Sequence, residues 1–319
     1  MNQSLPEMNL TTYSSSLRAP KNEKSSIGLR QLVTMRVAEK GKPLFCIHPS
    51  GGDIGIYRKL VSRIGPNLSV MGIQSRLVCG ATNEFPNLQE MAFAYTCLVN
   101  EQQPTGVIRL LGFSLGGFVA SLMTRELQRF GRSVSFLGLI DSNPNWTTGT
   151  GISHRELCLR LTQVFTKFQS IGVMRQKPLA TVQKDVSILV NACLADQPIT
   201  SAEVMAMTTE MGYVPSQQKD AELLMKFTNT FLTHCRLLKN FQPPEINCPL
   251  YLWWPSEAAE ENESGSKLWV EKANERVTES VIDGSHYSIM RGSAVRVLTA
   301  EVEAAIAHED ALCNSDQAT

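Results

Sequence analysis

At residues 107–116 the chain reads Val107-Ile108-Arg109-Leu110-Leu111-Gly112-Phe113-Ser114-Leu115-Gly116. The apolar run before Gly112 predicts a strand, and apolar residues at helical spacing after Ser114 predict a helix that ends at Gly131. A Gly-x-Ser-x-Gly turn between a strand and a helix strains the backbone, lifts the serine hydroxyl above the sheet and lets helix and strand pass closely. The stretch therefore predicts Ser114 as a catalytic nucleophile, against the alternative of a structural serine in a glycine-rich turn.

The composition excludes several classes of function. In 319 residues, Lys+Arg and Asp+Glu number 30 each, so neither nucleic acid nor an anionic membrane is expected as the main partner. Residues 1–53 lack the pattern of a secretory signal, and the longest apolar stretch, 107–123, is no membrane span because it contains Arg109 and the glycine turn. The length suits one large α/β domain.

The cysteines indicate a reducing environment. All eight are scattered without a Cys-x-x-Cys pair, and several lie in apolar runs where a buried thiol is the usual arrangement. His234-Cys235 and Cys248 could be read as metal ligands, but Cys235 falls on the apolar face of a helical segment and no fourth ligand is spaced to join them. We therefore expect a cytoplasmic protein without a metal.

Predicted strands alternate with predicted helices along most of the chain. An edge strand is expected near 32–37, further strands at 44–47, 70–73, 107–113, 134–140, 250–254 and 277–282, and helices at 54–64, 88–101, 267–274 and 294–308. Asn87 and Glu90 have the spacing of a helix-capping pair. This alternation predicts a mainly parallel sheet flanked by helices. The Gly-x-Ser-x-Gly turn at Ser114 resembles the nucleophile elbow of the α/β-hydrolases, which implies the α/β-hydrolase fold. Residues 1–38 are predicted as a flexible leader, 39–145 and 243–308 as the core, and 309–319 as a flexible tail.

Residues 146–242 interrupt the alternation. They show no convincing strand and several helical patterns, the clearest of which spans 223–238. A helical insertion of this length at the sheet edge where ligands bind predicts a lid over the site. The alternative is a separate helical domain with no role in catalysis.

A serine nucleophile needs a base, and the base needs an orienting acid. His286 lies just past the last predicted strand on a glycine-bearing loop, at the same sheet edge as Ser114. Asp141 ends the strand that follows the nucleophile strand, so its side chain is expected beside Ser114. Glu257, after the following strand, and Asp283, close to His286 in sequence, remain alternatives for the acid.

An oxyanion hole needs two main-chain N–H donors. One is expected from Leu115, directly after the nucleophile. The other is expected from the loop His48-Pro49-Ser50-Gly51-Gly52, where Ser50 is the first choice and Gly51 the second. This loop lacks the lysine and the spacing of a phosphate-binding loop.

Several of these segments together resemble a known family, the thioesterase domains that end nonribosomal peptide synthetases and polyketide synthases. They are Pro43-Leu44-Phe45-Cys46-Ile47-His48-Pro49-Ser50-Gly51-Gly52, Tyr57, Leu110-Leu111-Gly112-Phe113-Ser114-Leu115-Gly116-Gly117, Leu139-Ile140-Asp141-Ser142 and Gly284-Ser285-His286-Tyr287. The resemblance covers about residues 32–306. In that family the acid directly follows the strand next to the nucleophile strand, which favours Asp141 over Glu257.

The resemblance implies that Ser114 accepts an acyl group, of polyketide or peptide origin, from the phosphopantetheine thiol of a carrier protein. Water, a hydroxyl or an amine then releases the group, with no metal or organic cofactor. The leader shows no carrier-type serine motif, so the expected partner is an acyl or peptidyl carrier protein met in trans. The stretch between Asp141 and His286 is long for the family, which affects the predicted lid.

Two other functions remain as alternatives. One is a free-standing carboxylesterase or lipase that acts on small esters, and the other is a binding protein that kept the fold and lost the chemistry. Within the leading hypothesis, the clearing of misprimed carriers, the release of a finished acid and transfer to a second substrate all stay open, because the choice depends on water access to the acyl-enzyme.

Overall fold

Seven strands form one sheet in the computed structural model, which describes residues 30–39, 41–146, 161–162, 165–166, 169, 176–194, 206–207, 209–211, 218–239, 241–286 and 288–316. The strands are β1 (Leu32–Arg36), β2 (Leu44–Ile47), β3 (Val70–Ile73), β4 (Ile108–Phe113), β5 (Val134–Ile140), β6 (Leu250–Pro255) and β7 (Val277–Ile282). Their order is β1-β3-β2-β4-β5-β6-β7, and only β1 runs antiparallel to its neighbour. The predicted mainly parallel sheet is confirmed, with β1 as its edge strand.

Seven helices have defined bounds within the described residues. They are α1 (Arg58–Val61), α2 (Leu88–Gln102), α3 (Leu115–Arg129), α4 (Leu179–Leu194), α5 (Gln218–Leu237), α6 (Ala259–Val270) and α7 (Ala294–Asp316). The Asn87 side chain accepts the amide of Glu90 at 2.8 Å and begins α2, as the capping pattern predicts. Gly131, with φ of +68°, follows the end of α3 in the left-handed conformation that favours glycine.

The apolar core lies on both faces of the sheet. Strands β4 and β5 are buried along their whole length, as expected for central parallel strands. Leu110 packs into a cluster that includes side chains from α2, α3, α4 and α5, and Leu111 packs on the opposite face with side chains from α1 and α7. The alternation of neighbouring residues between two covered faces explains why β4 reads as a continuous apolar run.

Two predicted helices differ from the observed ones. The segment 54–64 is a 3-10 turn at Gly55–Tyr57 followed by the single turn of α1. The helix predicted at 267–274 begins at Ala259 and ends at Val270. Its first two turns are mostly polar and exposed, so they carry no apolar periodicity, while Glu260 and Glu261 stabilise the positive end of the helix dipole.

The prediction of a flexible tail from Glu309 is wrong for residues 309–316, because α7 continues to Asp316. The buried Glu309 carboxylate accepts the Tyr251 hydroxyl at 2.5 Å and pairs with Arg276. Asp310 pairs with Arg109, a buried cation on β4. Polar residues that bond to the sheet therefore extend the last helix.

The described parts of 146–242 are helical wherever their secondary structure is regular. Helix α5 confirms the pattern predicted at 223–238, and Phe231 and Cys235 on it are buried in the main cluster. Residues 1–29 and the other parts of the insertion lie outside the described residues. Among the helices that are described, none has both the length and the apolar character needed to cross a membrane.

Candidate active site

Ser114 lies in a strained turn between β4 and α3, with φ of 56° and ψ of −123°. Such a backbone is costly for a residue other than glycine and is typical of functional sites. A Cβ atom on Gly112 would lie 2.2 Å from the Gly116 carbonyl carbon, and one on Gly116 would lie 2.3 Å from the Ile47 carbonyl oxygen. The two glycines therefore allow α3 to start directly against β2 and β4, as the sequence predicts.

Two buried side chains hold this turn. The Tyr57 hydroxyl donates to the Ile47 carbonyl at 2.7 Å and accepts the Phe113 amide at 2.8 Å, which ties β2 to the end of β4. On the other side, the Ser142 hydroxyl donates to the Ser114 carbonyl at 2.7 Å. The Trp269 indole donates in turn to the Ser142 carbonyl at 2.7 Å. The backbone of Ser114 is thus braced from both neighbouring strands.

His286 and Asp141 lie together beside the turn. Nδ1 of His286 donates to Oδ2 of Asp141 at 2.6 Å, and the carboxylate side chain is 2% exposed. The imidazole stacks on the Phe113 ring with centroids 4.7 Å apart. Because Phe113 precedes Ser114, the structure brings the three predicted residues to one edge of the sheet.

The two rival acids lie differently. Asp283 is exposed, and its Oδ1 accepts the Ser256 hydroxyl at 3.2 Å. Glu257 is also exposed, and its amide donates to the Gly284 carbonyl at 3.0 Å. The hydrogen bond from Nδ1 of His286 goes to Asp141, which favours Asp141 as the orienting acid.

The predicted oxyanion donors belong to two elements, the start of α3 and the turn after β2. Leu115 is the first residue of α3, so its amide has no acceptor within the helix and lies at the positive end of the dipole. After β2, the Gly52 amide donates to the Pro49 carbonyl at 2.8 Å and closes a turn around Ser50 and Gly51. The two central amides of that turn are not used by the bond that closes it.

Two stacked histidines lie under this loop. His48 is fully buried, its Nδ1 donates to the Pro49 carbonyl at 2.8 Å, and its Nε2 accepts the Tyr95 hydroxyl at 2.7 Å. The His234 ring stacks on it, with centroids 4.9 Å apart. Nδ1 of His234 donates to the Ser50 carbonyl at 2.8 Å. Successive carbonyls of the loop are therefore each held by an imidazole.

Glu84 completes this cluster. Its Oε2 accepts Nε2 of His234 at 2.8 Å and the Ser75 hydroxyl at 2.5 Å, and its side chain is 1% exposed. Burial acts to raise the pKa of Glu84, but the hydrogen bonds from His234 and Ser75 outweigh it, so the pKa lies below its ordinary value. Burial and the nearby His234 lower the pKa of His48 to about 3, which leaves His48 neutral.

The three residues considered as metal ligands have other surroundings in the structure. His234 bonds to Ser50 and Glu84 instead, and Cys235 and Cys248 are buried thiols in the apolar cluster. Within the described residues, no group of three or more His, Cys, Asp or Glu side chains could hold a metal ion.

A family model for the thioesterase domain matches residues 42–305. The chain belongs to the thioesterase domain family. It is 38% identical over 122 residues to a dimodular nonribosomal peptide synthase of Bacillus subtilis (strain 168), and the match covers 38% of this chain and 5% of that protein. It is 36% identical over 124 residues to enterobactin synthase component F of Escherichia coli (strain K12), covering 38% of this chain and 10% of that protein. The matched part is thus at most a tenth of these relatives.

Solved structures share the fold of this chain. The NocB thioesterase domain from the nocardicin cluster superposes with a TM-score of 0.57 at 18% identity, over 87% of this chain and 99% of that one. The four-domain nonribosomal peptide synthetase AB3403 superposes with a TM-score of 0.64 at 20% identity, over 86% of this chain and 20% of that one. These similarities show the α/β-hydrolase fold.

The sequence did not predict the residues that support the candidate active site. Tyr57 is one of the residues that carry the family resemblance. Its position in the sequence does not predict that its hydroxyl bonds to two strands. The contact of His234 with Glu84 joins residues 150 positions apart, and no local pattern signals it. His154, also assigned to the predicted lid, lies outside the described residues.

Proposed function

We propose that this thioesterase is a serine enzyme that takes an acyl or peptidyl group from the phosphopantetheine thioester of a carrier protein onto Ser114. The observation that carries the proposal is the hydrogen bond between His286 and Asp141 beside the strained turn of Ser114. A serine, a buried carboxylate and an imidazole in this order along the chain are the parts of a nucleophilic relay.

In the acylation step, the Ser114 hydroxyl oxygen attacks the thioester carbonyl carbon. Its proton passes to Nε2 of His286, because Nδ1 is committed to Asp141. The carboxylate of Asp141 stabilises the imidazolium that forms. When the carbon–sulfur bond breaks, the imidazolium protonates the leaving thiolate, and an ester to Ser114 remains.

The developing oxyanion is bound by main-chain N–H groups. The amide of Leu115 lies at the start of α3, and the amide of Ser50 lies in the turn after β2. Such donors are worth about 10²–10³ in kcat each, because they bond more strongly to the tetrahedral intermediate than to the substrate carbonyl.

In the release step, water, a hydroxyl or an amine attacks the acyl-enzyme. The nucleophile gives its proton to His286, which returns it to the Ser114 oxygen as the ester bond breaks. We propose an acyl or peptidyl carrier protein, met in trans, as the partner. The reaction needs no cofactor. The six cysteines whose side chains the structure describes are free thiols, which supports a cytoplasmic setting.

The test is acyl loading by a panel of acyl-pantetheine and acyl-carrier thioesters, followed by intact mass and thiol release. An acyl adduct on the wild type that is absent from Ser114→Ala supports the proposal. Asp141→Asn is expected to slow loading by about 10⁴, as in serine proteases, while its matched control Glu257→Gln loads at the wild-type rate. Thiol release equal to that of Ser114→Ala, together with cleavage of simple esters, would instead identify a free-standing esterase.

A further inference from the structure

One face of α5 lies directly on the loop that holds Ser50. Phe227, Thr230 and His234 follow at helical spacing and point to this loop. A Cβ atom on Gly51 would lie 2.8 Å from the Phe227 ring, and one on Gly52 would lie 2.7 Å from Cγ2 of Thr230. Helix α5 belongs to the predicted lid, so a lid element and the oxyanion loop share one packed contact.

Both ring nitrogens of His234 have oxygen partners. Nδ1 faces the Ser50 carbonyl and Nε2 faces the Glu84 carboxylate, each at 2.8 Å. The imidazole therefore bridges the loop and a buried carboxylate. His48 differs, because its Nε2 faces the Tyr95 hydroxyl, a group that can donate.

A hydrogen bond to a carbonyl oxygen also sets the direction of the N–H in the same peptide group. A trans peptide group is planar, and its N–H points opposite to its C=O. The bond from His48 to the Pro49 carbonyl therefore orients the Ser50 amide, and the bond from His234 to the Ser50 carbonyl orients the Gly51 amide.

We propose that His234, held by Glu84, is a positioning residue for the oxyanion hole that acts through the Ser50 carbonyl. The bond from His48 fixes the peptide plane before Ser50, which carries the Ser50 amide, and the bond from His234 fixes the plane after it, so together they hold Ser50 in place. The proposal rests on the proposed function, because it takes the Ser50 amide as the oxyanion donor.

The first test compares His234→Leu, which cannot donate to Ser50, with His234→Asn, whose amide nitrogen replaces Nδ1. Because an oxyanion bond forms mainly in the transition state, we expect His234→Leu to lower kcat by about 10–100-fold with KM within about twofold of wild type. His234→Asn is expected to recover most of that loss. Equal losses in both variants, or an unchanged kcat in His234→Leu, would overturn the proposal.

A second pair of variants separates the effect of the Glu84 charge from the effect of packing. Glu84→Gln keeps a hydrogen-bonding partner for His234 but removes the charge, and we expect kcat to fall by about tenfold with KM unchanged. The matched control is Glu309→Gln, another buried carboxylate, which lies on α7 and bonds to Tyr251 and Arg276. We expect it to lower Tm and leave kcat unchanged. If both variants lower kcat equally, the effect is general destabilisation and the proposal fails. If His234→Leu does not fold, the proposal is tested with His234→Asn and Glu84→Gln.

All variants are assayed on an acyl-pantetheine thioester and on a p-nitrophenyl ester of the same acyl group. An oxyanion forms in both reactions, so the proposal expects parallel losses of kcat on both. If the wild type cleaves only the ester, the thioester function fails while His234 is still tested on the ester. Losses confined to the thioester would overturn the positioning role.

Discussion

Acid should destabilise this protein through His48. The group is fully buried, and its pKa of about 3 in the folded chain lies well below its ordinary value of 6.5. As the pH falls below 6.5 the unfolded chain takes up a proton at this site and the folded chain does not, so stability is lost until the pH nears 3. Between pH 7.5 and pH 5.0 the loss from this one group is about 2 kcal/mol of unfolding free energy.

The assay is urea unfolding followed by tryptophan fluorescence at both pH values, for the wild type and for His48→Gln. The groups closest to the imidazole, Glu84 and His234, are present in both proteins, so the difference between the two pH dependences isolates His48. We expect the wild type to lose about 2 kcal/mol more than the variant over this interval. Equal losses would refute the argument that burial holds His48 neutral.

Three further outcomes are expected. Tyr57→Phe leaves two buried main-chain groups at the turn unpaired and should cost about 2 kcal/mol of unfolding free energy in urea. Gly116→Ala forces a methyl group onto main chain and should abolish acyl loading, whereas Gly131→Ala meets no atom within 4 Å and should cost only about 1 kcal/mol, with loading retained. Truncation after His308 leaves the buried Arg109 without its carboxylate, and Tm should fall, as calorimetry can check.

The nucleophile turn was predictable because its signals are local. The buried β4 reads as an apolar run, and the glycines that follow are needed where main chain meets main chain. The placement of Asp141 and His286 also follows from the sequence, since residues after parallel strands gather at one sheet edge.

The rest depends on contacts that the sequence does not encode locally. The polar first turns of α6 carry no apolar periodicity, and the end of α7 is helical because Glu309 and Asp310 find partners on distant strands. His234 reads as an ordinary helix residue until α5 is seen on the Ser50 loop. Tertiary hydrogen bonds, rather than propensity, decide each of these features.

The anchoring of α7 has a consequence for biosynthesis. A ribosome makes β4 and β6 well before residues 309 and 310, so Arg109 and Tyr251 enter the growing sheet without the carboxylates that later satisfy them. A buried unpaired guanidinium opposes burial of the strand that carries it. The carboxylates of α7 can therefore pair with these strands only after both strands have been made, so we expect the docking of α7 to be a late step of folding.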